Sequence, residues 1–474
     1  MKTKLVYFVF FSLSLFITSC NNDDDNPSPQ PQPQENNIVQ IALRTPELSS
    51  LVAALSKADG NLVNALSGAG PFTVLAPTNT AFSTFLLANG FSSLEQVPTD
   101  VLSQILLNHV IKTDVKASDL TSVGSGYASG SATGAADKNI SIYFDTANGV
   151  KFNNAGSVIT PDIHASNGTI HIIDGVLELP DVVDHSLANP SFTSLVAALG
   201  AADGELVDVL KGSGPFTLLA PDNAAFATFL DGTPLGSVDT SVLSQILLNH
   251  VIIGSALTSS SLADAGTGYA KTAATGAGGN AMSLYFNAHS GVTFNGISTV
   301  SQADIVGTNG IIHVVDSVID IPTVVTFSVA DANFSTLVAA LTHLTPATDF
   351  VSILSRTETG NSDGINPYFT VFAPTNNAFS ALGTLPAEAV LTQVLLHHVI
   401  TEENISFGDL NNPGNTTAST LQGDNITITL PGTGGNIANI TDGSGATDIG
   451  IIAVDIQAGN GVIHVLNKVM IPNL

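Results

Sequence analysis

Pairs of histidines recur along this chain of 474 residues at a nearly constant separation. The separations are 62 (171 − 109), 63 (313 − 250) and 66 (464 − 398) residues, in the pairs His109 and His171, His250 and His313, and His398 and His464. An imidazole with a pKa of about 6.5 can bind a metal or act as a general acid or base. The alternative is that each ring, lying among Leu, Val and Ile, hydrogen-bonds to the backbone and fixes a sheet onto a helix. We favour this structural role, because no nucleophile accompanies the histidines and three identical active sites in one chain would be unusual.

Sequence motifs of known catalytic chemistry are missing elsewhere. The sequence has no His-Glu-x-x-His zinc motif, Walker loop, Gly-x-Ser-x-Gly elbow or EF-hand loop. The Gly-rich stretches 130–134 and 432–435 lack the strand and helix that flank a phosphate site, so we interpret them as loops. Acidic and amide groups in residues 357–366 could hold Ca²⁺ weakly, but a solvated loop is the simpler interpretation. We therefore predict no enzyme, no catalytic residue, no metal site and no cofactor.

The charge balance restricts the partners of the protein. Asp and Glu number 39 against 12 Lys and Arg, which gives a formal net charge of −27. Such a chain repels nucleic acids and anionic lipid surfaces, so we expect no nucleic-acid partner. Divalent cations, basic proteins and neutral glycans remain as partners. With a single cysteine, the chain can form no intrachain disulfide.

The amino terminus has the pattern of an export signal. Lys2 and Lys4 precede an apolar run of 13 residues (17 − 5 + 1), which is shorter than the roughly 20 residues that a membrane-spanning helix needs. We interpret residues 1–19 as a signal peptide. The run ends just before Cys20, an arrangement that resembles the bacterial lipobox, in which the cysteine becomes the lipidated first residue. An ordinary signal peptide followed by a chance cysteine is the alternative.

Residues 20–37 are predicted to form a disordered tether, because Pro and Gln at this density favour an extended, solvated chain. The acidic residues Asp23 to Asp25 resemble the export signal of Bacteroidetes surface lipoproteins. We expect the protein to be attached to the outer membrane only through the Cys20 lipid and to be exposed on the cell surface. Retention on the periplasmic face is the alternative.

Three sequence blocks recur three times in the same order, which indicates a repeat protein. The copies span residues 70–82, 214–226 and 367–379 for the first block, 106–111, 247–252 and 395–400 for the second, and 167–174, 309–316 and 460–467 for the third. The repeats divide the chain into domains at residues 38–183, 184–324 and 325–474. The joints between them are short and poor in Gly, so we expect stiff connections.

Each domain has the pattern of an α+β unit, in which helices come first and strands later. Residues 192–199 and their counterparts predict a helix, and Phe72 to Ala76 predict a buried strand that ends at Pro77. A helix is also predicted at 100–109, followed by alternating β segments. Thr78 and Asn79 are good N-cap residues for the helix that follows Pro77.

These blocks resemble the fasciclin-type domain, an extracellular adhesion module, over essentially everything after the tether. The resemblance implies a wedge of β-sheets flanked by helices in each domain. The family often has Asp after Ala-Pro-Thr, where this chain has an amide at the corresponding places, Asn79, Asn223 and Asn376. An amide can cap a helix but offers no carboxylate, so we predict a structural role for these positions.

The function implied by this resemblance is adhesion, without catalysis, to an extracellular protein or glycan. The animal integrin-binding version of the motif has Tyr-His where this chain has Asn108-His109, Asn249-His250 and His397-His398, so an integrin partner is not carried over. The alternative is a surface lipoprotein that binds a glycan or small ligand for nutrient capture. The absence of Trp and the presence of only six Tyr weigh against aromatic platforms for sugars.

Overall fold

The computed structural model describes residues 35–204 and 206–474. The predicted signal peptide, Cys20 and the tether up to residue 34 lie outside the described residues. No helix within the described ranges is by itself long and apolar enough to cross a membrane. Two pairs of consecutive short helices, at Ile38–Lys57 and Val324–Thr342, reach that length and composition together, with bends of 106° and 94° between their members.

The first domain places short helices before and between its first strands and ends in a run of strands. Its elements are α1 (Ile38–Arg44), α2 (Ser49–Lys57), α3 (Leu62–Ser67), β1 (Phe72–Pro77), α4 (Asn79–Ala88), α5 (Thr99–Asn108), β2 (Val110–Ile111), α6 (Ala117–Val123), β3 (Ser125–Thr133), β4 (Asn139–Asp145), β5 (Lys151–Phe152), β6 (Gly156–Ala165) and β7 (Gly168–Ile173).

The second domain repeats this order. Its elements are α7 (Val182–Ala188), α8 (Thr193–Ala201), α9 (Leu206–Leu210), β8 (Phe216–Pro221), α10 (Asn223–Leu230), α11 (Thr240–Asn249), β9 (Val251–Ile253), α12 (Ser259–Ala265), β10 (Thr267–Thr275), β11 (Ala281–Asn287), β12 (Thr293–Phe294), β13 (Ser298–Val306) and β14 (Gly310–Val315). Helix α7 begins two residues (184 − 182) before the boundary at residue 184 that the repeats suggested.

The third domain follows the same order, with a loop of ten inserted residues (366 − 357 + 1) before its first strand. Its elements are α13 (Val324–Ala330), α14 (Ser335–Thr342), α15 (Phe350–Leu354), β15 (Phe369–Pro374), α16 (Asn376–Leu382), α17 (Glu388–Leu396), β16 (Val399–Thr401), β17 (Gly414–Ser419), β18 (Asn425–Leu430), β19 (Ala438–Thr441), β20 (Ile449–Gln457) and β21 (Gly461–Leu466).

Seven strands form the β layer of each domain. In the first domain their order is β2-β1-β7-β6-β5-β4-β3, and the third domain has the corresponding order. The first and last long strands, β1 and β7, pair in parallel, with Leu75 opposite His171. In the second domain the pairing of Thr272 with Ile252 joins β10 to β9, so the strands close into a barrel. The predicted α+β class is confirmed.

The last strand of each domain is buried on both faces, which explains its uninterrupted apolar sequence. In β7, Ile170 and Ile172 pack into a core shared with the helices. Ile173 packs on the other face, in a second core with Leu75 and Phe152. The sheet is therefore covered by helices on one side and curls around its own side chains on the other.

The contact between the first and second domains is repeated between the second and third. The amide of Ala135 donates to the carbonyl of Gly307 at 2.9 Å, and the amide of Ala277 donates to that of Ala458 at 3.3 Å. Hydroxyl oxygens of two serines accept from the next domain in the same manner: Ser141 from the amide of Val306 at 3.0 Å, and Ser283 from that of Gln457 at 2.9 Å.

A tyrosine completes each joint. The ring of Tyr127 lies 5.7 Å from that of His185, and the ring of Tyr269 lies 5.8 Å from that of Phe327. The hydroxyl of Tyr269 also donates to Asp331 at 3.0 Å. Backbone, hydroxyl and aromatic contacts recur at equivalent places, and this favours one fixed arrangement of neighbouring domains.

We expect Tyr269→Ala to loosen the joint between the second and third domains, because it removes both the ring contact and the bond to Asp331. Losses of this kind cost about 1–3 kcal/mol. Hydrogen exchange on the full chain should become faster in α13, while the strands β15 and β21 stay protected. Tyr269→Phe is the matched control, since it keeps the ring and should have a smaller effect. Equal exchange in wild type and Tyr269→Ala would show that the tyrosine does not hold the joint.

Candidate functional site

The first histidine of each pair lies at the carboxyl end of a helix. Nδ1 of His109 is 2.7 Å from the carbonyl oxygen of Ile105, and Nε2 accepts from the amide of Leu177 at 2.9 Å. The other two domains repeat this geometry: His250 contacts Ile246 at 2.8 Å and Ile319 at 2.9 Å, and His398 contacts Val394 at 2.7 Å and Met470 at 2.9 Å. In the first two domains the hydrogen bond to Nε2 holds the segment that leads to the next domain.

The environment of these three rings keeps them neutral. Burial lowers the pKa of His109, His250 and His398 to about 4, because the charged form would lose its hydration. A carbonyl beside Nδ1 and an amide beside Nε2 assign the proton to Nδ1. Both nitrogens are then engaged, which leaves no lone pair for a metal or for proton transfer.

The second histidine of each pair lies in the last strand. Nε2 of His171 is 3.0 Å from the carbonyl oxygen of Val115, and Nδ1 accepts from the amide of Asp162 at 3.2 Å. The corresponding contacts in the other domains are His313 with Leu257 at 2.9 Å and Asp304 at 3.3 Å, and His464 with Ile405 at 2.8 Å. Nδ1 of His464 has no partner within residues 35–204 and 206–474.

The two histidines of a pair share no hydrogen-bond partner. His109 contacts Ile105 and Leu177, whereas His171 contacts Val115 and Asp162. The part of the chain that the structure describes contains no group of three or more His, Cys, Asp or Glu that could hold a metal ion. This geometry supports the structural interpretation of the histidines, which we retain as a proposal.

The asparagines that replace the family's Asp connect two helices. Thr78 is the N-cap of α4, whose Ala81 amide donates to its hydroxyl oxygen at 3.1 Å. Asn79 does not cap this helix: its Oδ1 accepts from the amide of Ser50 at the start of α2, at 2.8 Å, and its Nδ2 donates to the carbonyl of Pro46 at 3.0 Å. Asn223 and Asn376 repeat both bonds, with Ser194 and Pro190 and with Thr336 and Ala332. An amide can both donate and accept here, whereas the ionised carboxylate of Asp can only accept.

Asn167 connects the end of α3 to the start of α1. Its Nδ2 donates to the carbonyls of Leu66 and Gly68, both at 2.8 Å, and its Oδ1 accepts from the amide of Ile38 at 3.0 Å. Asn309 and Asn460 make the same three bonds in their domains, with Leu210, Gly212 and Val182 and with Leu354, Arg356 and Val324. The recurrence of Asn in all three repeats was the signal for this role.

The sequence analysis did not predict a cleft at the joint of the first and second domains. Two adjoining cavities of about 400 and 340 Å³ lie there, lined in part by Asn153, Asn154, His185 and Leu187. His185 stands outside the repeated blocks and has Ile41 and Phe327 as its counterparts in the other domains. The departure of His185 from the repeat was the signal in the sequence that this joint differs from the other.

We expect Asn79→Ala to lower the free energy of unfolding of the first domain by about 2 kcal/mol, since two hydrogen bonds of about 1 kcal/mol each are lost. Asn79→Asp should cost less, because a carboxylate still accepts from Ser50 and suits a helix amino terminus. Calorimetry of the full chain, followed at the transition of the first domain, measures both. If Asn79→Asp lowered the free energy of unfolding as much as Asn79→Ala, this result would contradict the dual role of the amide as donor and acceptor.

We expect His109→Ala to cost about 1–3 kcal/mol, because it leaves a cavity and the unpaired amide of Leu177. In the wild type, stability should fall as pH drops from 6.5 to about 4. In that window the unfolded imidazole binds a proton that the buried ring does not. Calorimetry and metal analysis of the full chain distinguish a structural role of His109 from a metal-binding role. Stoichiometric zinc in the wild type that is lost in a normally stable His109→Ala would refute the structural interpretation.

Comparison with known proteins identifies the repeated domain. Residues 46–180, 190–322 and 332–472 match the model of the Fasciclin domain. Periostin of Homo sapiens is 27% identical over 410 residues, which cover 86% of this chain and 44% of periostin. Transforming growth factor-beta-induced protein ig-h3 of Sus scrofa is 29% identical over 458 residues, covering 92% of this chain and 58% of that protein. The chain thus spans about half the length of these two relatives.

A bacterial relative and a solved structure extend the comparison. Cell surface glycolipoprotein MPB83 of Mycobacterium bovis is 33% identical over 153 residues, which cover 31% of this chain and 62% of that protein. The structure of a FAS1 domain pair from the insect cell adhesion molecule Fasciclin I shares 20% identity at a TM-score of 0.37, covering 58% of this chain and 96% of that one. With three domain matches over most of its length, the chain belongs to the fasciclin-domain family, whose members are adhesion-related extracellular proteins.

Proposed function

We propose that the protein is a lipid-anchored adhesion protein of the cell surface, without catalytic activity, that presents three fasciclin domains to an extracellular protein or glycan. The observation that carries this proposal is the family match in three tandem domains. The engaged nitrogens of the first histidines in the pairs support the non-catalytic part.

The contacts between the domains and the net charge of the chain indicate how such a protein would bind a partner. Equivalent contacts at both joints hold neighbouring domains in a fixed arrangement, so their exposed surfaces are displayed together rather than independently. Surfaces presented together can bind a repeated partner with an avidity that exceeds the affinity of one domain. The net charge of −27 favours basic or neutral partners.

The attachment to the membrane is proposed from the sequence. A signal peptide at residues 1–19, acylation of Cys20 and an extended tether at 20–37 would place the domains at 38–183, 184–324 and 325–474 outside the outer membrane. The acidic residues Asp23 to Asp25 favour the outer surface over the periplasmic face.

We expect Cys20→Ala to release the protein from the membrane pellet in detergent-free buffer, because the lipid would be its only attachment. Cells that carry this variant should also lose the adhesion that the wild-type protein confers on matrix-coated or glycan-coated surfaces. Asn21→Ala is the matched control and should change neither property. A variant that stays in the pellet would refute the lipid anchor. Anchored wild-type protein that adds no adhesion to cells lacking it would refute the adhesive function separately.

A further inference from the structure

His185 lies at the point where the first and second domains meet. It belongs to α7, and its ring lies 5.7 Å from the ring of Tyr127 in the hairpin of the first domain. The hydroxyl of Tyr127 accepts from Nδ2 of Asn189 in the second domain at 3.3 Å. His185 itself is 0% exposed. An ionisable side chain is thus buried in the contact between two domains.

The burial of this position comes from the contact between the domains. Ile41 and Phe327 are the counterparts of His185 in the other two domains. Phe327, which packs on Tyr269 of the domain before it, is 0% exposed. Ile41, on which no preceding domain packs within the described residues, is only half-buried. Separation of the first two domains would therefore give the ring of His185 access to water.

A second contact connects His185 to the hydrogen bonds that cross the joint. Its Nε2 is 3.1 Å from the carbonyl oxygen of Val306, at the end of β13. The amide of the same Val306 donates to the hydroxyl oxygen of Ser141 in the first domain at 3.0 Å. The carbonyl of the next residue, Gly307, accepts from the amide of Ala135 at 2.9 Å. The ring therefore supports the strand end that the first domain contacts.

The closed joint accommodates only the neutral ring. Because Nε2 faces a carbonyl oxygen, it carries the proton of the neutral form, and a second proton would bind to Nδ1. Nδ1 is buried and has no hydrogen-bond partner among residues 35–204 and 206–474. A proton added there would create a buried charge without an acceptor, which is strongly unfavourable. Burial accordingly lowers the pKa of His185 to about 4.

Four charged groups lie on the elements around this ring. Asp181 and Asp184, at the start of α7, both pair with Nζ of Lys211 just after α9, at 3.8 and 3.4 Å. Glu178, in the segment between the domains, lines the same cavity as the ring. The charge of Asp184 favours a protonated ring, but its effect is smaller than that of burial. These charges therefore do not offset the loss of hydration.

The other elements packed against α7 present neutral groups. Helix α8 consists of residues without an ionisable side chain. His313 of β14 is engaged by the carbonyl of Leu257. The hairpin contributes the phenol of Tyr127, whose pKa is raised by burial, so that it stays uncharged. His185 is therefore the group of the first joint whose titration we expect to affect the contact between the domains.

We propose that the joint between the first and second domains is an acid-sensitive hinge, in which protonation of His185 releases the hairpin of the first domain from α7. At neutral pH the ring is uncharged and the domains stay associated. In acid, an opened joint lets water and a proton reach the ring, which stabilises the open form relative to the closed one. The second joint has Phe327 at this position and lacks this response. The hinge goes beyond the adhesive function and does not depend on it.

The direction and the pH window follow from the two states of the ring. A histidine in water has a pKa of about 6.5, whereas burial in the closed joint lowers it to about 4. Between these values the open joint binds a proton that the closed joint does not. The closed joint therefore loses stability as the pH falls from about 6.5 to about 4. At about pH 5 the equilibrium constant for opening should be about ten- to thirtyfold higher than at about pH 7.

The test measures hydrogen exchange of the purified full chain at about pH 7 and about pH 5, with rates corrected for the intrinsic effect of pH. Ala135 and Val306 report on the first joint, and Ala277 and Gln457 report on the second. Corrected exchange at the first joint should become about tenfold faster or more, while the second joint stays unchanged. Continued protection of β8 and β14 verifies that the second domain remains folded.

Two reciprocal variants separate the histidine from other effects of acid. His185→Phe should abolish the response of the first joint. A phenylalanine fits such a joint, since Phe327 packs on Tyr269 at 5.8 Å. Phe327→His should create the response at the second joint. Thermal melts at neutral pH verify that both variants fold.

Three results would overturn the proposal. The first is equal protection of the first joint of the wild type at the two pH values. The second is a response that persists in His185→Phe, which would assign the acid sensitivity to the carboxylates near the joint. The third is loss of protection throughout β8 and β14 together with the joint, which would mean that the whole domain unfolds. Cell adhesion at neutral pH is measured separately, so a failure of either proposal leaves the other standing.

Discussion

The structure of each domain depends on the three hydrogen bonds of one side-chain amide, which is half-buried in the first domain and buried in the other two. In the first domain Asn167 binds the beginning of α1 and the end of α3, and its backbone carbonyl accepts from the amide of Phe72 at 3.1 Å. Asn167 thus joins the start of the domain, its helices and the parallel strands through its side chain and its backbone. Chain segments that are 129 residues apart in sequence meet there. The neighbouring Gly168 is required as well, since a side-chain carbon would lie 1.9 Å from the carbonyl oxygen of Phe72.

The same interaction explains why the linkers between the domains are rigid. Asn309 accepts from the amide of Val182, and the amide of Thr308 donates to the carbonyl of Pro180 at 2.8 Å. On the other side of the joint, His109 holds the exit segment at Leu177. The linker is therefore fixed at both ends within a few residues, which is the stiff connection that its short, Gly-poor sequence predicted.

Local sequence patterns predicted the elements well and their tertiary contacts poorly. The strand from Phe72 to Pro77 and the helix that ends at Asn108 follow from apolar spacing and a terminating proline, which act over a few residues. Asn79 was expected to cap its own helix, but it bonds to α2, whose start lies 30 residues away in sequence. The cleft at His185 arises only when two domains meet, so no periodicity along the chain could reveal it.

The joints also give the row of domains a direction. Each joint pairs the β hairpin of one domain with a helix of the next, so two different surfaces meet, and such contacts can in principle continue without limit. In the first two domains this hairpin pairs tyrosines, Tyr127 with Tyr143 and Tyr269 with Tyr285. The third domain has Thr417 and Thr427 at the corresponding pair, and their hydroxyl oxygens lie 3.5 Å apart. The hairpin of the third domain is therefore polar where those of the first two domains present tyrosines to the next domain.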